Sequence, residues 1–261
     1  MHAPIRTLAL ALGLTLLWAC LSPAWAGPPV VAAAADLKFA LEEVAAGFKA
    51  RGGGEVRLVF GSSGNFYRQI QQGAPFGLLL SADEEFVFQL ADAGKTPDRG
   101  ALYAIGRIGI LVPTGSPLKA DGDLKDLAAA LADGRLKRFA IANPEHAPYG
   151  QRAEEALRHV GLWEGIKGRL VFGENAAQAA QFAVSGSTQG GIVAYSLALS
   201  PALEKQGEFA LIPADWHAPL RQRMVLLAGA DEATRAFYGY LQGAEARAVM
   251  ERFGFALPEA R

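Results

Sequence analysis

The sequence predicts an α/β protein of two lobes, each a mostly parallel sheet flanked by helices, with a ligand cleft between the lobes. Three observations carry that expectation. Short apolar, β-rich runs alternate with amphipathic helical stretches, the pattern of a parallel sheet covered on both faces. The alternation occurs twice, and the last elements fit back onto the first, so the middle of the chain reads as an inserted lobe. Three strand-to-helix loops are small and polar: Ala34-Ala35-Asp36, Gly61-Ser62-Ser63-Gly64 and Ser81-Ala82-Asp83. Loops of this kind gather outside the carboxyl ends of parallel strands, where ligands bind in open α/β sheets.

The elements follow in order. Residues 30–35 form a small-residue run that reads as a buried strand, and Asp36 then stands as a natural N-cap. The helix it opens carries Leu37, Ala40, Leu41, Val44, Ala45 and Phe48 on one face at 3.6-residue spacing. Gly52-Gly53-Gly54 ends it, and residues 56–60 return as a strand. A second helix begins near Phe66 after the Gly-Ser-Ser-Gly turn, Leu78–Ser81 is a third strand, and Glu84–Asp92 a third helix. In the second block, strands are expected at 108–112, 139–143, 170–173, 190–194 and 224–227. Helices are expected at 124–133, 151–160, 177–184 and, as one long element, 232–253. The lobes are accordingly placed at 27–106 plus 221–261 and at 107–220.

The first 26 residues read as targeting rather than fold. Arg6 precedes an apolar run through Leu21, and Ala24-Trp25-Ala26 supplies small residues at −3 and −1 before Gly27, as in a cleavable secretory signal. Cys20 loosely matches a lipid-acceptor position, but Trp18 is bulky where that pattern wants a small side chain. Removing 26 of the 261 residues leaves 235, with no cysteine and hence no internal disulfide. The expectation is a disulfide-free soluble protein exported across a membrane.

A chain with 25 Lys+Arg, 26 Asp+Glu and a net charge of −1 lacks the basic face that nucleic acid demands. The charge and 51% apolar content are those of a packed globule. Phosphate loops of the G-x-x-x-x-G-K-[ST] type, dinucleotide fingerprints and a G-x-S-x-G elbow are all missing from the sequence. His146, His159 and His217 have no metal-ligand spacing and read as surface or hydrogen-bonded histidines. What remains is anion chemistry without cations. A helix N-terminus offers unpaired N–H groups and about half a positive charge. Gly61-Ser62-Ser63-Gly64, Pro148-Tyr149-Gly150 and Asn175-Ala176 are three such helix starts, drawn from both halves of the chain.

In the order in which they occur, Ala32-Ala33-Ala34-Ala35-Asp36-Leu37, Gly61-Ser62-Ser63-Gly64 with Gln69-Ile70, Gly73-Ala74-Pro75 and Leu80-Ser81-Ala82-Asp83 form a distinctive set. Asn143-Pro144-Glu145-His146-Ala147-Pro148-Tyr149-Gly150, Gly191-Ile192-Val193 and Arg252-Phe253-Gly254-Phe255 complete it. With these stretches the chain resembles the periplasmic molybdate-binding proteins of ABC importers over nearly its whole length after residue 26. The resemblance implies a type II periplasmic-binding fold with two crossover strands as a hinge, closing over a tetrahedral oxyanion, molybdate or tungstate, with no cofactor and no catalysis. It also implies a periplasmic monomer and delivery to a membrane ABC permease with its ATPase.

By position, the resemblance assigns a hydroxyl and an N–H donor to Ser63, beside Ser62, and main-chain N–H donors to Tyr149 and Ala176. The position after the alanine run, here Asp36, supplies a neutral donor in familiar members. A tyrosine that some members use after the Gly-Ile-Val strand falls here on Ala194, with Tyr195 one residue later, so Tyr195 stays a candidate without that role carried over.

Asp36 is the departure that matters. A carboxylate about 4 Å from a dianion is repelled by roughly 8 kcal/mol at an effective dielectric of 20, as much as micromolar binding supplies. The reading preferred from sequence is that Asp36 turns away as an N-cap. The alternatives are compensation by Lys38, acceptance by Asp36 of a proton from a protonated oxyanion, or a different oxyanion or small organic anion as ligand. An exported hydrolase using Ser63 and a ligand-free scaffold are the readings from other classes.

Overall fold

The computed structural model describes residues 27–258, so the expected signal peptide and Cys20 lie outside the described residues. In chain order the elements of the first block are β1 (Val30–Ala34), α1 (Lys38–Ala50), β2 (Arg57–Gly61), α2 (Ser63–Gln71), β3 (Leu78–Ser81), α3 (Glu84–Asp92) and β4 (Ala101–Gly106). The second block runs β5 (Ile108–Pro113), α4 (Lys125–Ala132), β6 (Phe139–Ala142), α5 (Pro148–His159), α6 (Trp163–Ile166), β7 (Leu170–Gly173), α7 (Ala176–Val184), β8 (Gly191–Ala194), α8 (Tyr195–Ala198) and β9 (Gly207–Leu211). The chain then returns through β10 (Leu220–Leu226), α9 (Glu232–Leu241) and α10 (Ala244–Arg252).

Among the described residues ten strands divide into two five-stranded sheets, β2-β1-β3-β10-β4 and β7-β6-β8-β5-β9. In the first, β1 pairs parallel with β2 and β3, and β10 pairs antiparallel with β3 and β4. The second repeats the plan, with β6 parallel to β7 and β8, and β5 antiparallel to β8 and β9. Each sheet therefore has four strands running one way and one reversed. The reversed strand is in each case the one that has just crossed from the other lobe, at Arg107 into β5 and after Ile212 into β10. Such a strand starts at the cleft end of its new sheet, beside the carboxyl end of its parallel neighbours, and carries the chain away from the cleft.

Packing follows the sequence pattern where that pattern was periodic. Leu37, Ala40, Leu41, Val44 and Phe48 are buried against the first sheet, with Phe237, Leu241 and Met250 from the C-terminal helices closing the same core. The second core centres on Ile108, Ile110, Phe139, Ile141 and Leu157 and reaches Ala34 and Ala82 across the cleft.

Several expectations are corrected. The helix expected over 232–253 is two helices, because Gly243 has extended geometry (φ −73°, ψ 161°) and opens α10. The helix expected from 151 begins at Pro148, where a proline suits the first turn because its missing N–H would have no partner. Strands β4 and β9 and the short helices α6 and α8 were not anticipated. Asp36 is not an N-cap. Between β1 and α1 lies a 3-10 turn, Ala35–Leu37, and neither its start at Ala34 nor that of α1 at Leu37 carries a side-chain cap.

Candidate functional site

Asp36, Ser62, Ser63, Tyr149 and Ala176 all line one small cavity between the lobes, together with Ala34, Ala35, Gly61, Ala82, Ala147 and Pro148. Its volume is about 10 Å³, the room of roughly one water molecule. Tyr195 is not among the lining residues. Its ring stacks on Phe209 at 5.2 Å and packs against Gly254, outside the cavity lining.

Each wall is built by a strand ending just before a helix begins. β2 ends at Gly61, and Ser62 in extended geometry caps α2, its hydroxyl accepting the Asn65 N–H at 3.4 Å. Ser63 is the first residue of α2 and wholly buried. Its Oγ accepts the Ala82 N–H at 2.9 Å, which pins the hydroxyl between two loops of the first lobe and leaves its proton free to donate. From the second lobe, Ala147 and Pro148 open α5, which has no side-chain cap, with Tyr149 in its first turn. Asn175 caps α7 through the Gln178 N–H at 3.1 Å, placing Ala176 first in that helix. Ser63, Tyr149 and Ala176 thus occupy first helical turns, where a main-chain N–H has no preceding carbonyl to bond. Three helices direct the positive ends of their dipoles at one cavity.

The lobes are closed on each other around it. The Gly64 N–H donates to the His146 carbonyl at 3.0 Å, main chain to main chain across the cleft. A β-carbon at position 64 would lie 2.7 Å from that oxygen, so only glycine permits the approach. The buried His146 ring meets Ser62 Oγ at 2.9 Å through Nδ1 and Glu174 at 3.6 Å through Nε2, and Asn65 reaches Glu174 at 2.6 Å. His146 is therefore a hydrogen-bonded histidine, as expected, but one that ties the lobes together. The Ser62–His146–Glu174 row leaves Ser63 untouched, and Ser62 is already engaged as a helix cap.

Asp36 sits where α5 meets the first lobe, 1% exposed. Its Oδ2 accepts from the Tyr149 hydroxyl at 2.9 Å and from Gln222 Nε2 at 2.7 Å, and its main-chain carbonyl accepts from Ser196 at 2.8 Å. Gln222 also donates to the Tyr149 hydroxyl at 3.0 Å and accepts from Tyr103 at 2.6 Å. Oδ1 is buried with no partner. Burial pushes the Asp36 carboxyl up to about 6, against the opposing pull of Gln222 and Tyr149. Burial likewise pushes the Tyr103 and Tyr149 phenols well above their usual range, with Asp36 nearby adding to it. Lys38 does not compensate the acid, because its ammonium lies over the Phe39 ring at 5.6 Å.

Tyr103, Gln222 and Ser196 were missed by sequence reasoning. The closest of them to Asp36 in sequence is more than sixty residues away, and no local pattern marks such a partner.

Residues 29–256 match the family of bacterial extracellular solute-binding proteins. The chain belongs to that family. It is 34% identical over 258 residues to a molybdate-binding protein of Rhodobacter capsulatus, covering 98% of this chain and 96% of that one. It is 35% identical over 260 residues to the Azotobacter vinelandii molybdate-binding protein, covering 98% and 100%. The solved periplasmic molybdate-binding protein of Azotobacter vinelandii superposes with a TM-score of 0.79 at 29% identity, over 88% of this chain and all of that one. The two-lobe α/β architecture expected from sequence is thus the architecture of these binding proteins. Among the described residues no group of His, Cys, Asp and Glu is placed to hold a metal ion.

Proposed function

We propose that this protein is the extracytoplasmic solute-binding component of an ABC importer and captures molybdate between its lobes. The convergence of three helix N-termini and the Ser63 hydroxyl on one cavity, with no lysine or arginine lining it among the described residues, carries the reading. Full-length similarity to molybdate-binding proteins names the anion. The role is binding, not catalysis. Neutral donors suit it, because a fully hydrogen-bonded dianion is held when the cleft is dry and released when the lobes part.

The finer assignments belong to the same proposal. Ser63 gives its hydroxyl and N–H, Tyr149 and Ala176 give N–H groups, and Ser62 fixes the start of α2. Tungstate, of the same shape and charge, is a second ligand. The mature chain begins after Ala26, acts as a monomer, and delivers its anion to a membrane permease driven by an ATPase.

Thermal unfolding of the chain from Gly27 onward, with molybdate, tungstate, sulfate, phosphate or a neutral salt, tests the reading. A ligand at 100 times its dissociation constant adds about 2.7 kcal/mol of stability, seen as a raised melting temperature. A shift with molybdate and tungstate alone is the expected result. A shift only with phosphate, or none at all, overturns the choice of ligand.

A further inference from the structure

Among the described residues Asp36 is the one acid on a cavity otherwise walled by donors and small side chains. Its two oxygens are unequal. Oδ2 accepts two hydrogen bonds, from Tyr149 and Gln222, whereas Oδ1 is buried and bonded to nothing. That asymmetry suits a neutral carboxylic acid, with the carbonyl-like oxygen receiving and the other bearing the proton. A tetrahedral dianion brings only acceptors to the cavity, and a carboxyl group can face it favourably only by donating.

We propose that Asp36 occupies the closed, liganded cleft as the neutral acid and donates through its Oδ1–H, so that capture of one oxyanion dianion takes up one proton. The inference rests on the oxyanion reading above. The balance is simple: Asp36 carboxylate, one proton from solvent and the dianion give a neutral acid beside a dianion, and the cleft never holds three negative charges. The surroundings supply no other route to neutrality. Tyr149 faces the acid from α5, Tyr103 from β4 through Gln222 on β10, Ser196 from α8, and Ser62 and Ser63 line the same cavity from the start of α2. Both phenols keep their protons, and among the described residues no cation pairs with Asp36. Burial already brings the acid to about 6 without an anion, so neutralisation needs only a modest further push.

The test is calorimetric titration of the wild-type chain with sodium molybdate and sodium tungstate in two buffers of different ionisation enthalpy, from about pH 5 to about pH 8. Expected at about pH 8 is uptake of close to one proton per anion, falling toward zero at about pH 5. Affinity should weaken about tenfold per pH unit above about 6. In Asp36→Asn the amide keeps an acceptor for Tyr149 and Gln222 and donates permanently toward the cavity. It should bind with no uptake, with a flat pH profile, and about 100-fold more tightly than wild type at about pH 8. Asp36→Ser, a smaller neutral donor, should be flat as well and serves if the asparagine variant does not fold.

Tight binding by wild type with no uptake and no pH dependence overturns the inference while leaving the molybdate reading standing. Uptake that persists in Asp36→Asn moves the proton to another group and also overturns it. Failure of wild type and both variants to bind molybdate or tungstate at any pH overturns the ligand reading, and this inference with it.

Discussion

Two kinds of strand-to-helix junction meet at the cavity. At the starts of α2, α5 and α7 the chain goes from extended backbone straight into helix, and Ser62 and Asn175 cap their own helices with their own side chains. At the end of β1 a 3-10 turn intervenes, and Asp36, the residue that local rules would use as a cap, is committed to Tyr149 and Gln222 instead. The first kind is complete from local sequence and offers fixed neutral donors. The second is completed only when the other lobe arrives, because Tyr149 belongs to α5. One sort of junction is finished by its own residues; the other needs both lobes.

The sharpest way to break this contrast is to keep the lobes apart. Gly64→Val puts a side chain against the His146 carbonyl, an overpacking of about 3 kcal/mol at the closed interface, and should weaken molybdate binding about 100-fold. The check is affinity set against the melting temperature of the ligand-free chain, which should fall far less if the loss lies in closure.

Next in size is the stability of the empty protein against pH. A carboxyl raised from 3.8 to about 6 on folding contributes stability that is fully present below about pH 4 and is lost as pH rises through about 6. By about pH 8 the loss reaches about 3 kcal/mol. Asp36→Asn should therefore be the more stable protein at high pH, with its advantage shrinking toward acid in denaturant titrations. An advantage that does not change with pH would mean that Asp36 is as solvated as any surface acid, and the two junctions would differ only in shape.

Ser63→Ala probes the neutral-donor side. It removes one hydroxyl from the cavity wall and leaves the Ala82 N–H without its acceptor, and should cost about 1–2 kcal/mol, roughly tenfold in molybdate affinity. The smallest effect is expected for Tyr195→Phe, at a residue that does not line the cavity, with affinity within about twofold of wild type. A tenfold loss there would bring Tyr195 back to the site.

What the sequence made legible follows the same division. The Gly-Ser-Ser-Gly turn, the Pro-Tyr-Gly start and the Asn-Ala start are contiguous signals, and each carries its chemistry within four residues. The apolar face of α1 was legible for the same reason, since Leu37, Ala40, Leu41, Val44 and Phe48 share one helical period. The break between α9 and α10 was marked only by Gly243, which is compatible with a helix interior as well as a start. β4 stayed hidden because Ala101–Gly106 mixes small and large residues without alternation, and its place is set by pairing with β10. Asp36 was misread because the rule for a cap is local, whereas the partners that won it are Tyr149 and Gln222, 113 and 186 residues away.

The position of β10 also sets an order of assembly. The inserted lobe has all five of its strands by residue 211, but the first sheet waits for β10 to fill the gap between β3 and β4. A chain emerging from its N-terminus therefore holds β3 with an open edge while an entire second domain is made, the situation in which strands seek the wrong partners. A chain ending before Leu220 would keep the later lobe foldable and leave the earlier one unfinished. The part of the protein made first is the part whose sheet is completed last.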